Sequence, residues 1–130
     1  MTPQEMVRYW LKTASTDWKT AHHLFEKRDY VNALFFGHLY LEKLLKAAAV
    51  QHTQSAAPWG HKLVKLADTA NLALTPEQTA LLARITEYNI KARYPDWKFE
   101  FYKTCTKKFC QNELGEIEGF AKWLRKQIKL

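Results

Sequence analysis

The sequence predicts an all-α protein: an antiparallel, up-and-down bundle of about five helices, three long and two shorter. Two observations predict it. Apolar residues recur three to four positions apart along most of the chain, the spacing of one helix face. Gly and Pro number only four each in 130 residues, so few turns are available, which favours a few long helices over many strands. A hydrophobic content of 47%, with five Trp, is enough for one packed core and a single domain over residues 1–130.

Thr2, Pro3 and Glu5 open the first helix: a capping hydroxyl, a proline in the first turn and an early acid. Its apolar stripe is Met6, Trp10, Ala14, Trp18, Ala21 and Leu24/Phe25. Lys27 and Arg28 suit the negative end of the helix dipole, and Asp29 caps the next helix. That stripe runs Tyr30, Ala33/Leu34, Gly37, Leu41, Leu44/Leu45 and Ala48. The short link makes the pair an αα-hairpin. Gly37 in mid-helix costs about 1 kcal/mol relative to Ala, which predicts close approach by another helix or a ligand. Residues 52–60 read as loop, and a short third helix runs from His61 to about Asn71. Thr75, Pro76 and Gln78 start a fourth helix, carried by Leu81/Leu82, Ile85, Tyr88/Asn89 and Ala92. Pro95 disfavours helical backbone at Tyr94. A last helix is predicted from about Thr104, or earlier, to Lys129.

The net charge of +7 is uneven, with eight Lys/Arg against four Glu over residues 98–130. Such a surface attracts phosphates and acidic partners, or simply serves as a solvated face. Cys105 and Cys110 form no C-x-x-C pair. On one helix they would point about 140° apart, unable to form a disulfide or share a metal. Two free thiols fit the reducing cytoplasm, the expected location. The polar start lacks a signal peptide's apolar region, and no window approaches the roughly 18 apolar residues of a membrane span.

His38, Glu42 and Lys46 lie one turn apart on the second helix, with Lys43 beside them. This is either a surface ion-pair ladder or a place where Lys43 and Lys46 offer charge to a phosphate. A metal at His38 and Glu42 would need a third ligand that spacing does not supply. His61, after Trp59-Gly60, sits at a helix start, as a local cap or a neutral donor or acceptor. The break Ala92-Arg93-Tyr94-Pro95-Asp96 puts a cation, a ring and a carboxylate within five residues. Phosphate-binding loops, zinc-protease and nucleophile-elbow motifs are all absent.

Gly37-His38-Leu39-Tyr40-Leu41-Glu42-Lys43-Leu44-Leu45-Lys46-Ala47 resembles the second-helix signature of the HEPN family, the higher eukaryotes and prokaryotes nucleotide-binding domain. His61 to Leu66 is similar to its third-helix start. Asn89 to Asp96, then Phe101-Tyr102-Lys103 and Thr106-Lys107, resemble the break and final helix of a prokaryotic branch. The resemblance implies a helical bundle that usually dimerises. It implies either a metal-independent endoribonuclease, often a toxin, or a partner of a small nucleotidyltransferase encoded alongside, or a nucleotide binder. Ribonuclease members carry Arg-x(4–6)-His. None of Arg8, Arg28, Arg84, Arg93 or Arg125 has a His five to seven residues later, so no catalytic residue is carried over.

The expectation is a non-catalytic homodimer of a two-gene, toxin–antitoxin-like system. It would bind a nucleotide or RNA, or a nucleotidyltransferase partner, and need no cofactor. Lys43, Lys46, His61, Arg93 and Tyr94 would form the nucleotide site: Arg93 as forked phosphate donor, Tyr94 stacking on a base. Trp97, Phe99, Phe101 and Tyr102, crowded after the break, would form an exposed interface. The alternatives are a ribonuclease toxin with an unorthodox pairing such as His61 with Arg93, and a plain dimerisation module.

Overall fold

Thr2, Asp29 and Thr75 each cap a helix with their side chains, as their positions imply. In the computed structural model, which describes residues 1–129, the helices are α1 (Pro3–Glu26), α2 (Tyr30–Thr53), α3 (Leu63–Thr69), α4 (Pro76–Arg93), α5 (Glu100–Thr104) and α6 (Lys107–Arg125). No strand occurs among the described residues. At α1, the Thr2 hydroxyl accepts from the Glu5 amide at 3.1 Å and Glu5 accepts from the Thr2 amide at 3.2 Å. Thr75 and Gln78 build the same reciprocal box at α4, satisfying donors that the first turn leaves unpaired.

The chain differs from expectation at several helix ends. The predicted last helix is two helices, making six among the described residues, and its end lies at Arg125 rather than Lys129. Thr106 caps α6 by accepting from the Phe109 amide at 3.2 Å, and Cys105, at φ −78° and ψ 71°, leaves helical conformation before it. The third helix starts at Leu63, so His61 lies in the preceding loop. The second helix takes in His52 and Thr53 of the predicted loop before Gln54, at φ 58°, ends it. Between α1 and α2, Arg28 takes the left-handed conformation at φ 64°, while the Asp29 amide reaches back to the Leu24 carbonyl at 2.9 Å. This closes α1 as a glycine-ended helix would, without the glycine.

α2 is the spine: α1, α3, α4 and α6 all pack on it. Leu34, Leu41, Leu44 and Leu45 are fully buried there. The close approach at Gly37 is made by α6. A methyl group on Gly37 would sit 2.9 Å from Ile117 Cδ1 and 3.3 Å from Leu114 Cδ2. Among the described residues no helix is long and apolar enough to cross a membrane.

Candidate functional site

The polar face of α2 is buried. His38, Glu42 and Lys46 are all inside the protein, so this is no surface ladder. Helical spacing stacks the three side chains one above another, and α1, α3 and the loop before α3 close over them.

Glu42 is the pivot. Its Oε1 lies 2.7 Å from His61 Nδ1, and its Oε2 lies 3.1 Å from Lys46 Nζ. Lys46 Nζ also sits 5.1 Å from the centroid of the Trp10 ring, within cation–π range. One carboxylate therefore ties α2 both to α1 and to the loop ahead of α3. A buried carboxylate needs such partners, because burial of an unpaired charge is prohibitive.

The bonds assign the tautomers. A carboxylate accepts, so His61 carries a proton on Nδ1; in the neutral imidazole the lone pair is then on Nε2. The His61 side chain is half exposed, at 51%. His38 Nε2 lies 3.1 Å from the His61 carbonyl oxygen, which can only accept. His38 Nδ1 is then a buried acceptor with no donor. Burial above all holds the His38 pKa below its ordinary value; the His61 carbonyl and Glu42 oppose this, while His61 and Arg93 add to the lowering.

Beside this network, a cleft of about 390 Å³ opens between the 58–65 segment and α4. Thr86, Asn89 and Ile90 of α4 line it, together with Trp59, His61 and Lys62 of the loop and Lys65 and Leu66 of α3. Trp59 is 98% exposed. Neither Lys62 nor Lys65 is in an ion pair among the described residues. One turn beyond Asn89, Arg93 donates from Nε to the Asn89 carbonyl at 3.1 Å, and its guanidinium reaches within 5.9 Å of the Phe35 ring centroid.

The predicted site residues thus divide. Lys46 and His61 meet on Glu42, and Arg93 lies against Phe35 of α2. Lys43 turns to α1, where its Nζ lies 2.6 Å from Asp17 Oδ2. Tyr94 lines a second groove along α4, which shares Ile90 with the first. Of the four predicted interface aromatics, Trp97, Phe99 and Tyr102 are exposed, but Phe101 is only 9% exposed. Its ring packs 5.2 Å from Tyr88, because the turn of helix α5 swings it inward. Sequence reasoning passed over Trp59, Lys62 and Lys65, although the run Trp-Gly-His-Lys held the signal. It also missed Arg84, Tyr88 and Glu113. Arg84 meets the buried Glu113 through Nε at 2.7 Å and Nη2 at 3.1 Å, and the Tyr88 hydroxyl also donates to it. No periodicity links residues 29 apart. Among the described residues no three His, Cys, Asp or Glu side chains are grouped to hold a metal.

A family model described as HEPN domain matches residues 7–127. The chain belongs to the HEPN family. No curated protein and no solved structure matches it. Two of the segments that carry the resemblance fall on the network and cleft of this HEPN domain: the α2 signature holds His38, Glu42 and Lys46, and the segment from His61 holds His61 and Lys62.

Proposed function

We propose that this HEPN domain is a non-catalytic nucleotide-binding module that works as a homodimer beside a small nucleotidyltransferase, in a two-gene, toxin–antitoxin-like system. The cleft between the 58–65 segment and α4 carries the reading. It joins an exposed ring, Trp59, to the free cations Lys62 and Lys65, with apolar walls at Leu66 and Ile90. A base stacks on an indole, and ammonium groups meet a phosphate. Lys46 and Arg93 add positive potential from behind, and Lys43 contributes only through the long-range field. Exposed Trp97, Phe99 and Tyr102 support the dimer contact.

Calorimetric titration with ATP tests the site. Binding weakens with added salt, Lys62→Ala and Lys65→Ala each lower affinity, and Trp59→Ala loses about 1–3 kcal/mol of stacking. Unchanged affinity in all three variants removes the assignment. Co-purification with the product of an adjacent nucleotidyltransferase reading frame, and a dimer on gel filtration, test the partner and the assembly.

One observation favours a second reading, a metal-independent endoribonuclease. Glu42 holds His61 at Nδ1, and His61 lines the cleft, the arrangement of a base held by an orienting carboxylate. Labelled RNA incubated with EDTA decides. Cleavage that His61→Ala abolishes and His22→Ala spares would establish it over the first.

A further inference from the structure

The groove that Tyr94 lines, which adjoins the cleft at Ile90, is a different kind of site. It encloses about 500 Å³ between α4, α5 and the start of α6. Its floor is aromatic. Tyr88 and Phe101 lie with ring centroids 5.2 Å apart, and Phe109 stands 6.5 Å from Tyr88 at an interplanar angle of 67°. Its rim is acidic. Glu87, Asp96 and Glu100 line it, on a chain whose net charge is +7.

The two cations of the groove are already engaged. Arg84 is held by the buried Glu113. Lys91 pairs with Glu87 at 3.1 Å, and its ammonium stands 5.8 Å from the centroid of the Phe101 ring. Among the rim acids, Asp96 accepts the amides of Lys98 and Glu100. The Glu100 carboxylate enters no ion pair among the described residues. The groove therefore displays an ammonium on an aromatic face, with a carboxylate left over beside it.

We propose that this groove binds an alkylammonium cation, seated against the Phe101 and Phe109 rings beneath Glu87 and Glu100. Lys91 is the internal occupant of that seat. It is a stand-in rather than a plug, since its side chain is 49% exposed and swings out on rotation of a flexible stem. Ring faces attract cations through their quadrupole, and quaternary ammonium groups fit such cages best because their hydration is weak. The neighbouring carboxylates add charge attraction. A ligand of this class is opposite in sign to a nucleotide, so the inference stands apart from the proposed function.

Choline serves as the probe, and its uncharged tert-butyl isostere as the control, in calorimetric titrations of the whole chain. Choline is expected to bind at least roughly tenfold more tightly than the isostere. Lys91→Met keeps the stem, removes the competing charge and is expected to tighten choline binding at least roughly threefold. Glu100→Gln is expected to weaken it by a similar factor. Both substitutions fall on exposed side chains, and unchanged thermal melts confirm that the fold is kept. Equal binding of choline and isostere, or an affinity that Lys91→Met leaves unchanged or lowers, overturns the proposal.

Discussion

Gly37→Ala should destabilise the protein even though alanine is the better helix former. Two terms compete. Alanine gains about 1 kcal/mol over glycine within a helix. Against this, its methyl would sit 2.9 Å from Ile117 Cδ1 and 3.3 Å from Leu114 Cδ2, where carbon atoms prefer about 3.5–4.0 Å. Ile117 is fully buried, so its terminal methyl has no solvent to retreat into. Overpacking of this kind costs about 1–3 kcal/mol. A clash from two branched side chains belongs in the upper half of that range, which leaves a net loss of about 1 kcal/mol. The mechanism predicts its own rescue. Ile117→Val removes Cδ1 and alone costs about 0.5–1.5 kcal/mol. With Gly37→Ala the new methyl occupies the vacated space, so the double variant should be at least as stable as Ile117→Val alone. Urea unfolding of the four proteins in a double-mutant cycle measures this, with the denaturant slope checked for constancy. A Gly37→Ala protein more stable than the parent, or a double variant whose losses simply add, would refute the reasoning.

Three further outcomes follow from buried polar groups. His38 has a lowered pKa in the fold, chiefly from burial. The unfolded chain therefore takes up its proton first as pH falls below about 6.5; stability falls with it until the folded pKa is passed, and His38→Gln should flatten that part of the profile in urea titrations. Glu113→Gln removes the charge-assisted bonds from Arg84 and should cost about 2 kcal/mol by chemical denaturation; no change would mean that the pair contributes nothing net. Burial pushes the Cys105 thiol up to about 11 and the Cys110 thiol up to about 12, so both should resist a thiol reagent at neutral pH until denaturant is added.

Much of the fold was legible because helix signals are local. The capping boxes at Thr2 and Thr75 lie within one turn, and the 3.6-residue period within a few turns. The break at Thr106 was missed because the aromatic run after Trp97 continues the apolar spacing while a single capping hydroxyl interrupts the backbone. The candidate site was legible in part: Lys46, His61 and Arg93 were named from motif and chemistry. Their arrangement was not, since neighbours on a helix can face different partners.

The sequence by itself determined α1 to α4 to within a few residues and the close approach at Gly37, since those depend on residues a few positions apart. Only the tertiary structure decided which polar groups meet. Lys43 and Lys46, three apart on α2, part company because α1 offers Asp17 to one, while Glu42, Trp10 and the loop before α3 surround the other. Phe101 went inward and Tyr94 to the second groove for the same reason: burial is settled by the element that packs opposite, and that element lies far away in sequence.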